Sequence, residues 1–145
     1  MSKYSKILIC LDLTEESEKV ALRARALASG AGASFTLLHV VEYVPVEPMG
    51  EALLPAVQIE GELVERATTR LAEFSARLGF DQSERLVLTG NIKSEVVRIA
   101  LERGADLILI GSRERHGVSI LFNFTEDTVL HAAPCDVLAI RLHKA

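Results

Sequence analysis

The sequence lacks any apolar run near the roughly 20 residues that a membrane-spanning helix needs. The longest connected runs are strand-sized, such as "ADLILI" before Gly111. The opening "MSKYSKILICLD" has too short an apolar stretch for a signal peptide, which predicts a cytoplasmic location. There are only two cysteines, Cys10 and Cys135, each inside an apolar run. They read as buried thiols in strands rather than a disulfide. The four histidines, His39, His116, His131 and His143, have no ligand spacing with one another or with cysteine, so no metal site is expected. No basic run appears and the net charge is −4. A nucleic acid or an anionic membrane would not be drawn to such a chain.

What the sequence has is an ordinary globular balance. Apolar residues make up 49% and charged residues 25% of 145. That length fits one domain over residues 1–145, burying roughly 68–70% of its unfolded surface. Apolar runs alternate with helical patterns. "KILICLDL" reads as a buried strand. In the next stretch Val20, Ala21, Ala24, Leu27 and Ala28 recur at helical spacing, with Thr14 as the expected N-cap. "SFTLLHVVEY" is a second strand. "VPVEPMGEALLPAVQ" holds three of the four prolines and reads as a long irregular connection. A second helix is expected from Ile59, with Leu63, Ala67, Leu71 and Phe74 on one face and Gly79 ending it.

"ERLVLTG" is a third strand. "KSEVVRIALERG" is a third helix that Asn91 or Ser94 would cap and Gly104 would close. "ADLILIGS" is a fourth strand, "TEDTVLHAAP" a helix stopped near Pro134, and "CDVLAIRL" a fifth strand. Strands apolar on both faces, with helices between them, predict a three-layer α/β fold around a doubly wound parallel sheet.

Ligands in such sheets bind beyond the carboxyl ends of the strands. Asp12 stands at the end of the first strand, Val40 to Glu42 at the end of the second, Gly90 at the third and Gly111 to Arg113 at the fourth. A carboxylate at Asp12 would accept from a ribose hydroxyl or an amino group. The competing reading is that Asp12 or Thr14 caps the next helix. Glu42 reads as a solvated loop charge.

"KILICLDLTEESEKVALRARALA", "LLHVVE", "LVLTGNIKSEVVRIALERGADLILIGSR", "RHG" and "VLHAAPCDVLAIR" occur in this order. Together they resemble the universal stress protein family across nearly the whole chain. The resemblance implies a five-stranded Rossmann-like sheet of order 3-2-1-4-5, of the adenine nucleotide alpha hydrolase type. It also implies a small cytoplasmic protein, a homodimer, and a part in surviving stress.

One branch of that family binds ATP and another does not. The nucleotide branch carries Gly, two residues, Gly, eight or nine residues, then Gly and Ser or Thr. Glycines there let backbone N–H groups approach the phosphates, and a helix dipole faces the anion. Gly111 and Ser112 match that pattern. Glu114 stands where the second glycine would be, Asn123 where the third would be, and Phe124 where the hydroxyl would be; Thr125 comes one step late. A carboxylate within a few ångströms of a triphosphate is repelled by ~1 kcal/mol even in bulk water. Arg113, Arg115 and His116 would be the substitute phosphate clamps, or else part of a solvated loop.

Asp12 and Val40 match the family's adenosine-contacting positions. Leu13 resembles the non-binding branch, where the other branch often has a small residue. The chain thus resembles the non-ATP-binding branch more closely. ATP or AMP at Asp12, Val40, Gly111 and Arg113 is the alternative. The fifth strand resembles the family's dimerisation element, which predicts a seam over about 135–142, alongside protein partners the sequence does not identify. No nucleophile pairs with a base, so no enzymatic activity is expected.

Overall fold

The computed structural model describes residues 4–28, 30–42, 53–113, 129 and 131–142. Five strands form one sheet: β1 (Lys6–Cys10), β2 (Ser34–Val41), β3 (Glu84–Thr89), β4 (Leu107–Arg113) and β5 (Asp136–Leu142). Their order is β3-β2-β1-β4-β5, and every pairing is parallel. Both the fold class and the strand order agree with expectation. Among the described residues, α1 (Ser17–Leu27), α2 (Leu53–Arg77) and α3 (Ile92–Arg103) join β1 to β2, β2 to β3 and β3 to β4.

The sheet is covered on both faces because its central strands carry apolar side chains on both. Ile7, Ile9, Leu37, Leu107 and Leu109 face α1 and α2, packing on Val20, Ala24, Leu71 and Phe74. Leu8, Leu38, Ile108 and Ile110 face the other way, onto Val96, Ile99 and Ala100 of α3 and onto Val129. Each fully buried leucine or isoleucine of this kind contributes about 1.5–3 kcal/mol. β5 obeys the same alternation. Ile140 and Leu142 pack on the α1–α2 side and Val137 on the other, while Ala139 is exposed.

Several local expectations are corrected. α2 starts at Leu53, inside the segment read as an irregular connection. Pro55 does not stop it, because it is the third residue of the helix, where a backbone N–H has no partner to lose. Leu63 does not join the buried face of α2: it is 36% exposed, and Val64 packs inward beside Ala67 and Leu71. α1 begins at Ser17 with Glu16 at its N-cap and no side-chain cap bond, so Thr14 is not the cap.

α3 is capped as expected. The Asn91 side chain accepts from the Ser94 N–H at 3.0 Å, and Gly104 closes the helix in the left-handed conformation at φ 62°. Cys135 stands one residue before β5 rather than within a strand. Of the helix expected over 125–134, Val129, His131 and Ala132 are helical, Ala133 and Pro134 lie past its end, and positions 125–128 and 130 lie outside the described residues.

Candidate functional site

The chain runs from β1 to β2 on one side of the sheet and returns to β4 on the other. The carboxyl ends of β1 and β4 therefore flank the point where the strand order reverses, which is where an open parallel sheet leaves a crevice. Cys10 pairs with Leu38 and with Ile110. Two residues on from these lie Asp12, just past the end of β1, and Val40 and Ser112, within β2 and β4, so all three come at the same end of the sheet. Gly111 and Arg113 lie in the last three residues of β4, opposite Ile140 and Leu142. The four candidate positions thus share one end of the sheet.

Asp12 is engaged within its own turn. Its Oδ1 accepts from the Thr14 N–H at 3.1 Å and from the Thr14 hydroxyl at 2.8 Å. The buried Ser17 hydroxyl, on the first residue of α1, donates to the same oxygen. An aspartate bonding the amide two residues on is an Asx turn, and here it aligns a negative charge with the positive end of α1. The helix-entry reading of Asp12 is therefore realised in a specific form: the carboxylate, not Thr14, ties the turn to the helix.

Gly111 is extended rather than left-handed. A β-carbon there would lie 2.6 Å from Leu142 Cδ1 and 3.5 Å from Val20 Cγ2. Packing between β4, β5 and α1 accounts for this glycine without any phosphate. Val40 belongs to the apolar layer under α3. The side chain of Arg113, and the positions Glu114, Arg115, His116, Asn123, Phe124 and Thr125, lie outside the described residues.

Glu42 is not merely a solvated charge. Its Oε2 accepts from the Ile92 N–H at 3.3 Å, at the amino end of α3. That placement suits a carboxylate electrostatically.

Three contributors to this end of the sheet were not singled out from the sequence. His39 Nδ1 lies 2.8 Å from the Leu11 carbonyl. A carbonyl only accepts, so Nδ1 carries the proton. Arg70 Nη2 donates to the Leu13 carbonyl at 2.8 Å. Ser17 completes the Asp12 clasp. Only Ser17 had a local signal, the "DLTEES" run of short polar side chains beside an aspartate. The other two contacts join residues 28 and 57 positions apart.

A shallow cleft of about 280 Å³ adjoins this turn, lined by Leu13, Thr14, Glu15, Arg70 and Glu73 among others. A larger one, about 520 Å³, opens at the opposite, amino end of the strands. Two of its cations, Arg103 and Arg25, have structural work. Arg103 grips Glu84 at 2.7 and 2.8 Å. Arg25 donates to the Gly79 carbonyl at 2.9 Å and covers the Phe80 ring at 4.3 Å. Basic side chains at helix carboxyl ends complement the helix dipoles, so this second cleft reads as fold maintenance.

The chain matches the universal stress protein family over residues 3–141. It is 34% identical over 143 residues to universal stress protein A homolog 2 of Coxiella burnetii, covering 98% of both chains. Among solved structures, universal stress protein UspA from Lactobacillus plantarum aligns with a TM-score of 0.72 at 22% identity, over 97% of this chain and 100% of that one. A universal stress protein in complex with cAMP aligns with a TM-score of 0.62 at 19% identity, over 96% and 98%. At such identities these two likenesses speak for the fold. No helix among the described residues is long and apolar enough to cross a membrane.

Proposed function

This chain belongs to the universal stress protein family, and on that premise we propose that it is a homodimeric, cytoplasmic stress-response module that acts through protein contacts. We assign it one domain over residues 1–145 and no catalytic step. The observation that carries this reading is the engagement of the candidate ligand residues by the fold itself. Asp12 Oδ1 takes three donors from its own turn and helix, and Gly111 is required by Leu142. Glu114 and Phe124 oppose a polyphosphate in the same direction through charge and bulk.

β5 is the proposed seam. It is an edge strand, with β4 on one side. An apolar edge invites pairing with another chain, and an isologous pair is the commonest oligomer. The test is Ala139→Asp, which in an antiparallel pair across a twofold sets two like charges near one another. Sedimentation should give a dimer for the parent chain and a folded monomer for the variant. A variant that stays dimeric would remove β5 from the interface.

A second reading is an adenine-nucleotide-binding regulator using Asp12, Val40, Gly111 and Arg113. Two observations favour it: these positions share one end of the sheet, and a structural relative was solved with cAMP. ATP or AMP would be the ligand. Unfolding in millimolar ATP and Mg²⁺ separates the readings, since saturation at 100 times the dissociation constant adds about 2.7 kcal/mol. Nucleotide extracted from the purified protein would favour the second reading directly.

A further inference from the structure

The turn that carries Asp12 is held from outside, by α2. Leu13 has φ 62° and, among the described residues, is the one non-glycine with positive φ. A bulky L-residue is disfavoured there, because its β-carbon crowds the neighbouring carbonyl. Glycine or asparagine would relieve that. Leu13 nonetheless keeps a side chain that is only 7% exposed and packs into the α1–α2 side of the core. The core thus wants a leucine where the backbone would prefer another residue, and the left-handed state needs a support.

Arg70 supplies it. Its guanidinium donates to the Leu13 carbonyl at 2.8 Å. On either side of Leu13 the chain is tied as well. The Leu11 N–H donates to the Leu38 carbonyl at 2.9 Å, and His39 donates to the Leu11 carbonyl. Thr14 donates back to Asp12. If Leu13 left the left-handed region, the direction of the Thr14 N–H would change, and with it the clasp on Asp12 Oδ1. Glu15 and Glu73 line the same shallow cleft as Arg70.

We propose that Arg70 is a positioning residue for Asp12. By locking Leu13 left-handed it keeps the Asp12 carboxylate folded into its own turn, and it makes the state of that turn depend on where α2 stands. A displacement of α2 would then free the carboxylate, and a settled α2 would withhold it. The functional weight of this inference rests on the second reading above, in which Asp12 meets a nucleotide. The experiment below uses no ligand, so the two ideas fail separately.

The probe is amide hydrogen exchange at Thr14, whose N–H the Asp12 carboxylate accepts. Arg70→Met should raise Thr14 exchange about ten-fold while the amides of β4, deep in the sheet, change little. Arg70→Lys, which keeps a charged donor, should retain most of the protection. In a Leu13→Gly background the effect of Arg70→Met should shrink to less than about three-fold, because glycine occupies the left-handed region unaided. Leu13→Asn, which also tolerates that region, provides the same background if glycine leaves the core too weak. Thr14 exchange that moves no more than β4 exchange in Arg70→Met would overturn the proposal. So would an undiminished effect of Arg70→Met in both Leu13 backgrounds.

Discussion

Leu142 occupies the space that a side chain on Gly111 would need: its Cδ1 lies 2.6 Å from where the β-carbon would be. The two residues sit on adjacent strands, and Leu142 is only 4% exposed. Gly111→Ala should therefore destabilise the fold by about 1–3 kcal/mol, the usual cost of overpacking a filled core. Leu142→Ala should largely abolish that penalty in the double variant, and urea unfolding of the four-member cycle measures the coupling. A Gly111→Ala protein as stable as the parent would return this glycine to a ligand-binding explanation.

Asp12 yields a prediction of the same kind. Removing its carboxylate leaves the buried Ser17 hydroxyl and the Thr14 amide short of an acceptor. Asp12→Ala should cost about 1–3 kcal/mol in chemical denaturation without any nucleotide present, and Asp12→Asn less, because an amide oxygen still accepts. Equal stability of all three proteins would mean the clasp has no energetic role.

The repeating parts of the fold were legible in the sequence, and the site only partly. Continuous apolar strands and the Asn91 and Gly104 signals depend on near neighbours, so local chemistry determines them. Pro55 misled because a proline marks a helix start as readily as a loop, and only the following turns decide which. The left-handed Leu13 could not be foreseen. Its local preference points the other way, and the compensating Arg70 lies 57 residues downstream. The structural need for Gly111 was hidden for the same reason, since Leu142 meets it only after β4 and β5 pair.

Acid should weaken the amino end of the sheet first. The Arg103 guanidinium beside Glu84 holds that carboxyl below its ordinary 4.5. Burial pushes the Asp106 carboxyl up, but hydrogen bonds from the Ser5 and Lys6 amides outweigh it and leave it below 3.8. A lowered folded value means stability present above the unfolded value and lost as pH falls through the folded one. Unfolding free energy should thus be level with respect to these groups above about pH 5 and decline below about pH 4.5. The Glu84–Arg103 pair is surface-exposed, so Glu84→Gln should remove well under about 1 kcal/mol of that decline. Asp106→Asn should remove the larger part. Denaturation midpoints from pH 2.5 to 7 check the order, and a steeper acid loss in either variant would contradict it.

Both thiols should be sluggish in the native protein. Burial pushes Cys10 up to about 12. Burial, and then the Asp136 and Asp106 charges, raise Cys135 too. The thiolate is the reactive form, so native labelling by an aromatic disulfide reagent at pH 8 should be far slower than in denaturant, and Cys135 should react before Cys10. The two should not join in an intramolecular disulfide. Cys10 ends β1, while Cys135 precedes β5 at the other end of the sheet. The register sets Cys10 level with Ala139, four residues or about 13 Å along the strand direction from Cys135. A Cys10–Cys135 peptide in a non-reducing digest of folded monomer would contradict the register.

Ser75 is the position where a polar atom gains least from its surroundings. It is fully buried in α2, and its hydroxyl has no hydrogen-bond partner among the described residues. A buried hydroxyl without a partner carries a desolvation cost of about 1–3 kcal/mol, which its removal recovers. Alanine is also the better helix former and has nearly the same volume, so no cavity of consequence opens. Ser75→Ala should leave the protein as stable as the parent or raise its stability by up to about 1 kcal/mol, read as a higher urea midpoint at unchanged slope. The contrast with Ser17 sharpens the test. Ser17 is equally buried but donates to Asp12, so Ser17→Ala should destabilise. If both alanine variants lose stability alike, Ser75 has an acceptor in solution and the buried hydroxyl is satisfied.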